Sequence, residues 1–193
     1  AGIGVARLLV RAGVRNLVVC DRAGAIHQYR PERMNWAKAY VARETNKDQR
    51  KGSLRQMLEG ADVFIGLSSG DIVDGDMIRS MAEDPIVFAL AVPTPEVLPD
   101  VAREAGARVV ATGRSDFPNT MDVSLVFPGV FRGLLDSGAR SIRLRMMIYA
   151  AQALAGMVQD GDLHADHIVP HIFDFRVAPA VAAAVVHGAI EAG

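Results

Sequence analysis

The stretch Ala1-Gly2-Ile3-Gly4-Val5-Ala6-Arg7-Leu8-Leu9-Val10-Arg11-Ala12-Gly13-Val14-Arg15-Asn16-Leu17-Val18-Val19-Cys20-Asp21 decides how the rest of the chain is read. It holds a glycine pair, an apolar helix-like run to Ala12, a break at Gly13 and a strand-like segment Asn16–Cys20 that ends on Asp21. In a nucleotide-binding βαβ unit a glycine turn lets the backbone approach a pyrophosphate and the next helix N-terminus faces it. An acid after the following strand then holds the adenosine ribose. With Gly2 as the third glycine of G-x-G-x-x-G, Asp21 falls nineteen positions later, close to the roughly 20-residue spacing of that fingerprint. With Gly2 and Gly4 as the first two glycines the third would be Arg7, a poor fit. On the better reading, the strand before the glycines and most of the phosphate loop are expected to be missing from this chain. A glycine pair alone also suits a terminus of small residues, so the remaining sequence has to decide.

Outward from Asp21, three short apolar runs are bounded by turn residues and read as buried parallel strands. They are Ala61–Gly66, Pro85–Leu90 and Arg108–Thr112, and each runs into a polar or proline-containing loop. Helices are expected between them: Glu32–Arg43, a short one opened by the Ser53/Gln56 capping box, one capped by Asp74, and Asp100–Ala105. Alternation of this kind predicts an α/β fold, a doubly wound parallel sheet. In such a sheet the ligand sits beyond the carboxyl ends of the strands, where Asp21, Ser68, Val92 and Ser115 fall. The later sequence reads as helical: a stretch after Pro128, a long helix over 141–158 and a last helix from Pro179. We therefore expect one domain, with an alternating core over 1–126 and a helical part over 127–193.

Composition narrows the class. Half of the 193 residues are hydrophobic and 22% are charged, which suits a packed domain and not a disordered one. A net charge of −1 gives no electrostatic footprint for nucleic acid or an acidic membrane. Cys20 is the single cysteine, so no disulfide can close within the chain and a reducing, cytoplasmic setting is expected. No apolar run reaches the roughly 18 residues of a spanning helix, so neither nucleic acid nor membrane is expected as a partner.

Five segments together resemble the NAD-binding domain of bacterial malic enzymes. They are Ala61-Asp62-Val63-Phe64-Ile65-Gly66, Ile86-Val87-Phe88-Ala89-Leu90, Val110-Ala111-Thr112-Gly113-Arg114-Ser115-Asp116-Phe117-Pro118-Asn119, Phe127-Pro128-Gly129-Val130-Phe131-Arg132-Gly133 and Arg176-Val177-Ala178-Pro179-Ala180. The resemblance implies a Rossmann-type fold with C-terminal helices. It also implies oxidation of malate by NAD or NADP and loss of carbon dioxide to give pyruvate, assisted by Mg or Mn, in a homo-oligomer. The family's catalytic tyrosine, lysine and acidic metal ligands lie upstream of the phosphate loop. No catalytic or metal-binding residue is therefore expected in this chain, which alone should be inactive. Carried over by position, Gly2 matches the phosphate-loop glycine and Asp21 the ribose acid, which implies NAD. Arg22 beside it could pair with a 2′-phosphate, so NADP stays open. Ser68, Ser69, Ala91 and Val92 match cofactor-binding loops, and Asn119, Asp122 and Val123 lie in the substrate-proximal segment.

Two departures qualify the resemblance. The chain reads Ala91-Val92-Pro93 where the family usually reads Ala-Asn-Pro, and Asp122-Val123 where it reads Asn-Asn. Losing an amide donor to a carboxylate substrate costs about one to three kcal/mol. A malolactic-like or otherwise altered substrate is one alternative, and a non-catalytic, regulatory nucleotide-binding domain is another. Elsewhere the plainer readings are preferred. Cys20 is a small hydrophobe, His164, Asp166, His167 and His171 are loop residues and not a metal site, and Asp116 belongs to a turn. Met146, Met147 and Met157 fill a core, and Arg132, Arg140, Arg143 and Arg145 form a solvated face or subunit contact.

Overall fold

Helix α1 spans Gly2–Arg11 in the computed structural model, which describes residues 1–191. Its backbone finishes at Ala12, and Gly13 turns the chain with a φ of +100°. The segment Asn16–Val19 departs from expectation: it is not a strand of a parallel ladder. Its carbonyls are satisfied by loop amides, Leu17 O by Asn46 N–H (2.7 Å) and Val19 O by Ile26 N–H (2.8 Å). Ladder pairing begins only at β1 (Cys20–Asp21), antiparallel to β2 (Gly24–Ala25) in a tight hairpin. Gly24 has a φ of +93°, and a Cβ there would strike the Gly52 carbonyl, so no side chain is admitted.

Helix α2 is Trp36–Glu44 and starts four residues after the position expected. Asn35 is the reason: its side chain caps the first turn by accepting Lys38 N–H at 2.9 Å, while Arg33 ahead of it has a φ of +55°. Helix α3 (Leu54–Leu58) carries the predicted Ser53/Gln56 capping box, with both reciprocal bonds formed. The next elements are β3 (Val63–Gly66), α4 (Gly75–Arg79, capped by Asp74), β4 (Ile86–Ala89) and α5 (Pro99–Glu104). β3 and β4 pair in parallel from Val63 with Ile86 to Gly66 with Ala89. Val87, Ala89, Phe64, Ile78 and Ala102 are buried around this pair. These elements belong to the first of two compact units, Ala1–Arg108.

The second unit begins at Val109 with strand β5 (Val109–Thr112). A single turn of 3-10 helix, Val123–Leu125, leads into α6 (Phe127–Ser137), α7 (Leu144–Ala155) and α8 (Val177–Ile190). α6 takes Pro128 in its first turn, and Gly138, at a φ of +63°, closes it in the left-handed conformation. α7 is shorter at both ends than expected, bounded by Arg143 and Gly156. Its core is Val130, Met146, Ala150, Val177, Val181 and Val185. Full burial of Val181 or Val185 contributes about 1.5–3 kcal/mol each. α6 comes close to α8 because Gly129 and Gly133 present no side chain: a Cβ on Gly133 would sit 2.6 Å from the Ala182 carbonyl. Strand alternation with flanking helices makes this an α/β, Rossmann-type fold. Among the described residues no helix is long and apolar enough to cross a membrane.

Candidate functional site

The turn between β1 and β2 holds the acid that the glycine spacing points to. Asp21 Oδ1 accepts Ala23 N–H (2.8 Å) and Arg30 Nη1 (2.8 Å). Oδ2 accepts Arg30 Nη2 (2.5 Å) and Lys38 Nζ (2.6 Å). A carboxylate offers about four lone-pair positions, and here four donors occupy them. The bidentate Arg30 guanidinium holds the Asp21 carboxyl well below the usual carboxylate range; burial opposes it and Lys38 adds to it. Arg30 and Lys38 are themselves anchored on the Arg33 carbonyl, at 3.2 and 2.9 Å. Arg22, beside Asp21, is exposed and has no hydrogen-bond or ionic partner among the described residues.

Cys20 precedes this acid and is only partly accessible; burial first, and Asp21 second, push its thiol up to about 11. A thiol in that state is a small hydrophobe at neutral pH. His27, buried close behind the hairpin, is held below the ordinary imidazole value by burial, then by Lys51 and Arg30, so it stays neutral.

The second group of residues sits where β3 and β4 end. Glu96 is fully buried, and its carboxylate joins the two loops: Oε1 accepts Ser68 N–H at 2.9 Å and Oε2 accepts Ala91 N–H at 3.0 Å. Its own carbonyl accepts Val73 N–H (3.0 Å), and that of Pro95 accepts Asp71 N–H (3.1 Å). Gly66 and Gly70 make room for this joint, because a Cβ at the first would overlap the Glu96 carboxyl and one at the second would lie 2.6 Å from Thr94 Cβ. Ser68 and Ser69 are exposed, and their hydroxyls have no partner among the described residues. Ala91 is buried, whereas Val92 is 66% exposed. Both loops thus present free hydroxyls and a short apolar side chain on a rigid base.

Asn119, Asp122 and Val123 lie in the second unit. The Asn119 amide is committed to the fold: Nδ2 donates to Val110 O (3.0 Å) and Ala165 O (2.7 Å), and Oδ1 accepts Ile168 N–H (2.9 Å). Asp122 accepts Ser124 N–H at 2.8 Å, capping the single 3-10 turn, and Ser124 keeps its carboxyl below the usual range. Val123 is 63% exposed. Asp116 pairs with Arg114 at 2.5 Å in the expected turn. The His164 and His167 rings lie 5.7 Å apart, and His164 Nδ1 accepts Asp166 N–H at 3.3 Å. Among the described residues no group of three or more His, Cys, Asp or Glu side chains is placed to hold a metal.

Glu96, Arg30 and Lys38 are the site residues that the sequence did not reveal. A lone Glu between prolines carries no motif, and the ion pairs of Asp21 depend on a turn that places residues nine and seventeen positions away. The donor set suits a dinucleotide. α1 begins at Gly2, the position that the glycine spacing gives to the phosphate loop. Free serine hydroxyls and a charged turn supply the polar groups that a ribose or phosphate requires.

A family model described as the malic enzyme NAD binding domain matches residues 1–190. A bifunctional malic/malolactic enzyme of Bacillus subtilis is 51% identical over 193 residues, covering 100% of this chain and 47% of that protein. An NADP-dependent malic enzyme of Halomonas elongata is 40% identical over 210 residues, covering 100% and 49%. The crystal structure of an NAD-dependent malic enzyme from Thermotoga maritima superposes with a TM-score of 0.90 at 40% identity, over 96% of this chain and 48% of that one. The chain spans about half the length of the curated relatives it matches. Sequence and fold together place this chain in the malic enzyme NAD-binding domain family.

Proposed function

We propose that this chain is the dinucleotide-binding half of an enzyme that oxidises malate with NAD(P) and releases carbon dioxide to form pyruvate. The observation that carries this reading is the family match over residues 1–190, joined to loops beyond β3 and β4 that are held rigid by Glu96. On this reading the first turn of α1 takes the pyrophosphate, and the Asp21 turn takes the adenosine ribose. Ser68, Ser69, Ala91 and Val92 line the course of the cofactor towards its nicotinamide. The bound nicotinamide supplies the hydride acceptor, while the protein supplies orientation and electrostatics. The divalent metal and the groups that move the substrate's protons belong to the portion of the longer protein outside this span. The protein works as a cytoplasmic homo-oligomer.

A second reading concerns the substrate. Val92 and Val123 stand where the family resemblance leads one to expect asparagine, and valine cannot donate to a substrate carboxylate. Conversion of malate to lactate, or use of a related 2-hydroxy acid, is the branch these residues favour. One experiment separates the two. The complete protein is given malate, manganese and either NAD or NADP, and reduced nicotinamide is followed by absorbance while pyruvate and lactate are assayed. Net reduced cofactor with pyruvate is the expected result. Lactate without net reduced cofactor establishes the second reading, and saturable cofactor binding with no product refutes both.

A further inference from the structure

Asn119 falls in the segment expected beside the substrate, yet its side chain has no donor left to offer a carboxylate. It is 5% exposed, and both N–H groups of its amide are spent on carbonyls, Val110 O in β5 and Ala165 O forty-six positions later. Oδ1 accepts Ile168 N–H. The backbone is committed as well, at a φ of +56°, in the left-handed region that Asn tolerates better than most side chains. Immediately after it, Thr120 is bridged in parallel to Thr112, Met121 N–H donates to Thr112 O (2.7 Å) and the Thr120 hydroxyl donates to Phe117 O (3.2 Å). The chain thus returns to the carboxyl end of β5, the place where an α/β fold binds its ligand, and leaves Asp122 and Val123 exposed there. Residues 164–168, by contrast, belong to the long connection between α7 and α8, where His164 and His167 exchange backbone hydrogen bonds.

We propose that Asn119 is a positioning residue: it clamps the 164–168 loop to β5 and thereby fixes the 120–123 segment on which the 2-hydroxy acid is seated. The proposal rests on the function given above. Nδ2 bonds β5 and the loop at once, and the residue that carries it leads directly into Thr120 and Met121. Without these bonds nothing from the side chain holds residue 119 in its left-handed turn, and 120–123 can move away from Thr112. A substrate that needs this segment in register with β5 then binds less well. The cofactor, assigned above to groups between Gly2 and Val92, binds as before.

The test uses the complete protein with malate, manganese and NAD or NADP. Asn119→Gly accepts the left-handed backbone and removes all three side-chain bonds. Asn119→Asp keeps the acceptor for Ile168 N–H but turns an oxygen towards the Val110 and Ala165 carbonyls. Both variants are expected to raise the KM for malate at least tenfold, with cofactor affinity in the absence of malate within twofold of wild type. A residue that only stabilises the fold would lower the melting temperature and the active fraction while leaving KM unchanged, and that result overturns the proposal. Hydrogen exchange read by mass spectrometry tests the clamp without activity. In the wild type under mild denaturant, peptides covering 120–124 and 164–168 should lose protection together, and in both variants both should exchange at least tenfold faster. Separate opening in the wild type, or faster exchange at 164–168 alone in the variants, overturns the clamp, and the wild-type arm decides even where a variant does not fold. Joint opening in a wild type that does not turn over malate overturns the function reading and leaves the clamp standing.

Discussion

Replacing Glu96 by glutamine probes the joint beneath the loops that follow β3 and β4. The Glu96 side chain has no solvent-accessible surface, and both of its oxygens act as acceptors, one for Ser68 N–H and one for Ala91 N–H. Glutamine keeps the shape but offers one oxygen and one NH2, so one of the two backbone amides then faces a donor. The loss is one hydrogen bond to a charged group, about 1.5–3 kcal/mol, together with a buried amide left unpaired; the sum is about 2–4 kcal/mol. Glu96→Ala removes both bonds and opens a cavity beside Gly66, for about 3–5 kcal/mol. In urea denaturation of the complete protein followed by circular dichroism, a slope of about 2 kcal/mol/M turns the glutamine loss into a midpoint shift of about 1–2 M. Cofactor affinity should fall in the same order, alanine below glutamine below wild type, because 67–70 and 91–95 lose their common tie. A glutamine variant with the wild-type midpoint would refute the reasoning, since it would mean that the two amides do not depend on a double acceptor.

Other outcomes follow from the same geometry. Gly133→Ala, which sets a methyl against the Ala182 carbonyl and Val185 Cβ, should lower stability by about 1–3 kcal/mol, measured as a thermal midpoint; an unchanged midpoint would mean that α6 and α8 are free to separate. The double change Val92→Asn, Val123→Asn should raise malate turnover with little effect on stability, because both side chains are largely exposed; unaltered or lower turnover would show that neither position faces substrate. Asp21 has its carboxyl lowered in the folded state, so its contribution is complete above the unfolded value of about 3.9 and is lost as pH falls below it. The stability gap between wild type and Asp21→Asn should accordingly stay constant from neutral pH to about pH 4 and narrow below it, and a gap that does not change on further acidification would contradict the ion pairs.

Several local signals in the sequence carry through to the structure. The Ser53/Gln56 box, the Asp74 cap, Pro179 in the first turn of α8 and the three apolar strand runs each depend on residues within a few positions of one another. Asn16–Val19 looked like a strand because its side chains are apolar, but ladder membership requires a neighbour, and the carbonyls here meet Asn46 and Ile26 instead. Helix α2 starts at Trp36 and not at Glu32 because Asn35 caps it. Asp21 stands out from the glycine spacing, while the partners that fill its carboxylate do not. Arg30 and Lys38 reach it only once the hairpin and the α2 cap are folded. Glu96 was invisible for a similar reason, since its meaning comes from Ser68, twenty-eight positions earlier.

The Glu96 joint also acts as a ruler along the chain. Its carboxylate reaches an amide five residues back, at Ala91, so the path through Val92, Pro93, Thr94 and Pro95 has a fixed contour length. Exposed Val92 on that path leaves room for substitution, whereas Pro95 is fully buried and adding or deleting a single residue would move the carboxylate off one of its two amides. Variation of this loop is therefore a matter of substitution at constant length, and libraries that vary its length between Ala91 and Glu96 should yield few folded members.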